Sequence, residues 1–379
     1  MKISQNWWSE VSGWDQLPLQ VDENTQLVFI FGSTTVLKKH PLLDEIKKAY
    51  PKAVFVGCST AGEIYGAKVL DDSLVVTAVQ LEHTQISFNS STIKNQKDSM
   101  IVGIELADKI DKKELRHVFV LSDGLKVNGS ELVEGLIQHL PNDVAVTGGL
   151  SGDGANFKET LVFSKSRLPE AGVVSAIGFY GDRLRIGYAS LGGWDPFGPE
   201  RLITRSDGNV LYELDGKSAL ELYKKYLGEH ASGLPSTGLL FPLSLRTEEG
   251  KTAVVRTILS VDEKDQSMTF AGTMPQGAIT RLMKANFDRL IDGAANAAKA
   301  SSISTGSKTP ELAILISCVG RKLILKQRVE EEVEGVQNIL GKQAILTGFY
   351  SYGEISPFTP GVKCELHNQT MTITTLSEI

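Results

Sequence analysis

The chain has 379 residues, of which 41% are apolar and 22% charged, the proportions of a folded globular protein with room for two or three domains and too little excess charge for disorder. Lys and Arg total 39 against 45 Asp and Glu, a net charge of −6 without any basic run, which argues against nucleic acid and anionic membranes as partners. Three cysteines without ligand spacing, no secretory pattern and apolar runs far shorter than the ~20 residues of a bilayer span exclude a disulfide framework, a zinc site and a membrane helix, and point to the cytoplasm.

Residues 1–26 form a segment with Trp7, Trp8 and Trp14, expected to lie as a lid on the first strand-helix-strand unit or to serve as a partner surface. In that unit, residues 27–31 read as a buried strand. The turn Gly32-Ser33-Thr34-Thr35 comes next, then an amphipathic stretch over 42–50, a strand over 53–56 and a loop from Gly57 to Ile64. The same order returns in a strand over 117–121, the turn Ser122-Asp123-Gly124, a helix over 131–140, a strand over 144–147 and the loop from Gly148 to Gly154. It returns again in a strand over 312–316, a turn over 317–321, a helix over 329–340, a strand over 344–347 and the loop from Gly348 to Ile355.

Period-two patterns come after each copy, at 74–81 with 85–88, at 173–179 with 184–188, and at 364–366 with 371–375, and they read as hairpins. Helices over 99–110 and 278–298 precede the second and third copies. Between them, 201–214 and 253–270 read as hairpins turning at 206–209 and 262–265, with a short helix over 218–227. The Ser-rich stretch 301–308 reads as an exposed loop. The expectation is an α/β (mixed α+β) fold of repeated strand-helix-strand units, with mixed sheets flanked by helices. It has two domains, 27–220 holding two copies and 221–379 holding the third.

The glycine-rich loops come after strands, where open α/β sheets receive ligands. Their alternative role is tight turning and packing between copies. They carry Ser59, Thr60, Glu63, Asp123, Ser151, Asp153, Arg321, Tyr350, Ser351, Tyr352 and Glu354, a mixture of donors, acceptors and both charge signs. Arg321 suits a carboxylate, and Glu63, Glu354 or Asp123 an ammonium group, so an amino acid or similar zwitterion is the expected ligand, in a polar hollow shared by the loops. A bridge from Arg321 to Glu63 or Glu354 is the structural alternative.

Catalytic signatures fail. Gly149-Leu150-Ser151-Gly152-Asp153 lacks the closing glycine of a nucleophile elbow, Ala61 stands in that place in the first loop, and Ser130 occupies the lysine position of a phosphate loop. Cys58 has no histidine near it in sequence and reads as a buried thiol. Enzyme activity is not expected. No ligand-spaced histidines occur, yet one axial histidine suffices for haem, and His83, His230 and His367 are the candidates.

Residues 56–66 (VGCSTAGEIYG), 147–154 (TGGLSGDG), 318–321 with 330–336, 348–357 (GFYSYGEISP) and 364–370 (CELHNQT) resemble the signatures of the FIST family over nearly the whole chain. The resemblance implies a sensory protein that pairs an N-terminal with a C-terminal FIST domain and binds small ligands such as amino acids. For some members it implies a haem protein that responds to nitric oxide and acts on a histidine kinase. With no kinase, cyclase or receptor segment expected in this chain, its output is expected through a partner such as a histidine kinase or cyclase, and a homo-oligomer is compatible with that.

Overall fold

The computed structural model describes residues 1–16, 19–247, 253–304, 309–359 and 361–379. Three copies of one unit build it. In each, two parallel strands flank a helical crossover: Leu27–Gly32 with Val54–Ser59, Leu115–Ser122 with Ala145–Leu150, and Leu312–Cys318 with Ile345–Ser351. A short hairpin comes next, Glu63–Tyr65 with Lys68–Leu70, Val162–Phe163 with Pro169–Glu170, and Gly353–Pro357 with Cys364–His367. An eight-residue strand then returns antiparallel to the first: Ser73–Gln80, Val173–Tyr180 and Met371–Glu378.

The copies exchange their edges. Each hairpin pairs with the second parallel strand of another copy, so that the first copy's hairpin joins the third sheet, the third copy's joins the second, and the second copy's joins the first. The eight-residue strands Gln85–Thr92 and Leu184–Leu191 likewise pair with the returning strands of the second and third copies. Lys2–Ser9 takes that position in the first sheet. Three sheets therefore share one strand order, each with pieces of several copies. The patterns 74–81 with 85–88, 173–179 with 184–188 and 364–366 with 371–375, expected as hairpins, are pairs of strands that lie in different sheets.

Alternation of side chains along the strands gives each sheet two buried faces. Phe29, Phe31, Phe119, Leu121, Ile314 and Ile316 turn to one common core, where the Phe29 and Phe119 rings lie 5.8 Å apart and those of Phe31 and Phe349 4.9 Å apart. The alternate residues Val28 and Ile30 pack with Leu43 and Ile46 of the helix His40–Ala49, and Val118 and Leu315 with the helices of their own copies. Where sheets meet, Thr77 bonds Thr347 at 2.9 Å and Thr374 bonds Thr147 at 2.8 Å. The corresponding third pair is apolar, Ile177 and Val56.

Outside the repeat, residues 195–284 build an eight-stranded sheet around Ile203, Leu211, Leu220, Tyr223, Met268 and Phe270. The hairpins expected at 206–209 and 262–265 lie in it, as does the helix Ala219–Leu227, which Ser218 caps through the Glu221 N–H. The cut expected at 220/221 falls within that helix. Three further sequence readings need correction. The helix expected over 278–298 starts as the strand Ile279–Lys284, which pairs into this sheet, and the helix proper is Phe287–Ser304. The Ser-rich stretch is not a loop at its start, because Ser301 is buried on that helix, while 305–308 lie outside the described residues. A helix, Val319–Leu325, also stands where only a turn is expected.

Candidate functional site

The three loops do converge, and their backbones close on one another. The Gly152 N–H donates to Ser59 O at 2.9 Å, Ala61 N–H to Tyr350 O at 2.8 Å and Tyr352 N–H to Leu150 O at 3.2 Å, a closed ring of equivalent bonds. A Cβ on Gly152 would meet Ala61 N at 3.0 Å, so packed backbone stands where the loops are expected to share a polar hollow.

Most of the expected ligand-binding residues are consumed in holding these loops. Glu63 is fully buried and accepts from the Thr60 hydroxyl, from Ser73 Oγ at 2.6 Å and from Ser73 N at 3.2 Å. Glu354 repeats this with Ser351 Oγ at 2.6 Å, Thr370 Oγ1 at 3.0 Å and Thr370 N at 3.2 Å. Burial raises their carboxyls to about 7 and about 8, against the lowering effect of those donors. In the second copy the carboxylate and the hydroxyl donor of the returning strand are lost together, replaced by Val162 and Val173. There Asp123 is tied to the N–H groups of Leu125, Lys126 and Gly172, each at 2.8 Å. Ser59 Oγ accepts from Leu161 N and Ser151 Oγ donates to Ser122 O.

Arg321, expected to grip a ligand carboxylate or to bridge to Glu63 or Glu354, is fully buried and does neither. Its Nε and Nη2 bond Glu332 Oε2 at 3.0 and 2.8 Å, and the remaining donors reach Gly192 O and Leu290 O. Glu332 also accepts from Tyr350 Oη at 2.6 Å and Ser317 Oγ at 3.1 Å. A guanidinium so occupied has no fork left for a ligand.

The opening lies beside the ring, where the symmetry breaks. The second copy inserts residues 153–160 between its parallel strands and its hairpin, and the 195–284 unit rests against this side. A cavity of about 340 Å³ lies between them. One wall is Leu125, Asn128 and Leu150 of the second copy, another Cys318, Val319 and Tyr352 of the third, and the roof is Leu239, Thr257 and Phe270 of the 195–284 unit. Among the described residues, no charged side chain lines it. Burial raises the Cys318 thiol, and burial together with the bond to Asp153 raises the Tyr352 hydroxyl, so both titratable lining groups stay protonated.

Tyr352 is the expected site residue that reaches this cavity. Its hydroxyl donates to Asp153, whose carboxylate also takes the N–H groups of Phe157, Lys158 and Glu159. The Phe157 ring stacks on it at 4.4 Å and 15°, partly exposed at the mouth, with its backbone held at φ +54°. A bulky residue in the left-handed region stores roughly 1–3 kcal/mol of strain, a mark of functional sites. Sequence reasoning passed over Phe157 and Thr257. The signal for Phe157 was the extra length of the second loop; Thr257 gave none.

None of the candidate axial histidines lines the cavity. His83 is exposed beside Arg183, and His230 packs on Phe241 in a short exposed helix. His367 is buried with Nε2 on Ser356 O at 2.7 Å. The residues present do not fit a haem in this cavity.

Residues 26–217 match the FIST N domain and residues 219–357 the FIST C domain. An uncharacterised protein of Methanocaldococcus jannaschii, MJ1623, is 24% identical over 230 residues, 57% of this chain and 43% of that protein, so the match spans less than half of the relative's length. Among solved structures, a chorismatase is similar over 99% of this chain and 98% of its own, at 7% identity and a TM-score of 0.36. A cyanuric acid hydrolase from A. caulinodans is similar over 100% and 98%, at 6% identity and a TM-score of 0.37. No helix among the described residues is long and apolar enough to cross a membrane.

Proposed function

The chain belongs to the FIST family, whose domains are sensory domains of signal transduction, and from that premise we propose that it senses a small uncharged molecule in the cavity between the second and third loops and the 195–284 unit. The observation that carries this reading is the cavity itself, about 340 Å³, enclosed by three separate parts of the chain without a charged lining residue among those described and with a strained aromatic at its mouth. A zwitterion placed there would leave two charges unpaired at a cost of several kcal/mol each, so the amino-acid expectation gives way to a neutral ligand. The ligand touches both the repeat body and the 195–284 unit, and its binding energy therefore favours the arrangement in which the two are closed on each other. Output to a partner signalling protein follows from that bias. Binding without turnover fits two lining groups, Cys318 and Tyr352, that remain protonated.

Calorimetry with uncharged and charged small molecules tests the reading, using the wild type and Ala271→Trp, which fills the cavity. Uncharged compounds are expected to bind the wild type and to weaken at least tenfold in the variant, with its melting temperature little changed. Binding of a free amino acid that Ala271→Trp leaves untouched would overturn it.

A further inference from the structure

What a cavity recognises is set by the polar atoms that its wall leaves free. Most lining side chains have none to offer. Asn128 caps the helix Gly129–His139 with Oδ1 and gives Nδ2 to Glu131 Oε1 at 3.0 Å. The Tyr352 hydroxyl is held by Asp153, and the Cys318 sulfur takes the N–H groups of Gly320 and Gln369. Thr257 Oγ1 is sealed in protein, away from the open space. Gln96 and Ser236 are exposed, at the rim. Asn209 is the exception. It lines the cavity from the turn between the strands Asp195–Asp207 and Val210–Leu214, half-buried. There it exchanges two bonds with Phe270: its carbonyl accepts the Phe270 N–H at 2.9 Å, and its Nδ2 donates to Phe270 O at 2.8 Å. A carbonyl partner fixes which amide atom is the nitrogen, so Oδ1 is the one left over. Oδ1 has no partner among the described residues and, unlike Thr257 Oγ1, is open to water.

We propose that the cavity takes a flat, neutral two-ring heteroarene whose ring N–H donates to Asn209 Oδ1. The proposal deepens the reading of the cavity as the ligand site and rests on it. The volume of about 340 Å³ is about twice the ~150 Å³ that holds one benzene. Phe157, Tyr352 and Phe270 all belong to the wall, and aromatic walls favour a flat ring over a branched chain of equal volume. An amide oxygen only accepts, so a ring N–H completes it, whereas a ring oxygen in the same place sets lone pair against lone pair. Asn209 belongs to the 195–284 unit and Tyr352 to the repeat body, so one small molecule touches both.

Indole and benzofuran share one shape and differ in a ring N–H against a ring oxygen, and their dissociation constants on the full chain can be read by ligand-observed NMR. The wild type is expected to bind indole about five- to tenfold tighter than benzofuran. Asn209→Leu, close in volume, is expected to weaken indole by that factor and leave benzofuran unchanged, which also shows that the cavity survives the substitution. Ala271→Trp is expected to weaken both at least tenfold. Equal affinity of the wild type for the two, a comparison that needs no variant, or an indole preference that survives Asn209→Leu overturns the N–H contact and leaves the cavity reading standing. Failure of both probes to bind, or binding that Ala271→Trp leaves unchanged, overturns both.

Discussion

Glu63 and Glu354 hold their loops as carboxyl groups that burial raises to about 7 and about 8. A carboxyl raised in the fold binds its proton more tightly there than in the unfolded chain, so its contribution to stability is complete below the usual carboxylate range and is lost as pH rises through the raised value. His117 and His367 act in the opposite sense. Burial lowers them to about 3 and about 4, and the stability tied to their neutral form is lost as pH falls below about 6.5. Between about pH 4.5 and 6.5 the two effects oppose each other; above it only the carboxyls titrate. Stability is therefore expected to be nearly level from about pH 4.5 to 6.5 and to fall by roughly 2 kcal/mol between pH 6.5 and 8. The double variant Glu63→Gln with Glu354→Gln keeps the neutral form and should flatten that fall. Urea unfolding at the two pH values checks it, and a slope unchanged in the variant refutes the assignment. Arg321 teaches the complementary lesson. Its residue type allowed a ligand carboxylate, but Glu332, which claims it, sits on the next helix at a position that reads in the sequence as one acid among several in a solvated first turn. Which carboxylate a buried guanidinium meets is decided by packing and leaves no mark in spacing.

At the scale of elements, the repeat was legible because its strands are buried on both faces and bounded by glycine loops, a pattern written in residue type. Edge exchange was not, because pairing within a copy and pairing between copies use the same alternation of side chains. The site was legible in the same partial way. Loop convergence followed from the repeat, but the ring that seals the loops is made of backbone bonds, which any side chain permits. The cavity depends on the second loop's extra residues and on a unit that the repeat does not contain. The shared glycines give a sharp test of equivalence. At Gly57, Gly148 and Gly348 a Cβ would lie 1.9, 1.8 and 1.8 Å from the carbonyl oxygens of Ile30, Val120 and Leu315. Backbone faces each of them, so no side chain can yield. Replacement by Ala at any of the three is expected to cost about 3 kcal/mol or more, against about 1 kcal/mol for Gly66→Ala, where φ is +57° but nothing lies within 4 Å. Denaturation midpoints of the four variants decide this, and three unequal costs would break the equivalence of the copies.

For the whole molecule, threefold closure dictates how the chain can be reordered. The first copy passes from Ser73–Gln80 to Gln85–Thr92 through residues 81–84, and the second from Val173–Tyr180 to Leu184–Leu191 through 181–183. Met371–Glu378 and Lys2–Ser9 stand in the same relation without a covalent link. The two stretches meet: Met1 N lies 3.4 Å from Glu378 Oε2, and the N–H groups of Glu82 and His83 bond the same carboxylate at 2.9 Å. A short linker from Ile379 to Met1 therefore makes the third connection, and opening the chain within 81–84 moves the break by one copy. Such a circular permutant is expected to fold with the far-ultraviolet spectrum and cooperative unfolding of the parent, since the break falls in a surface turn and every strand keeps its neighbours. Opening between Ala61 and Gly62 instead cuts the sealing ring next to Glu63, and that permutant is expected to lose cooperative unfolding. If the first permutant fails to fold while the second succeeds, the three copies are not interchangeable.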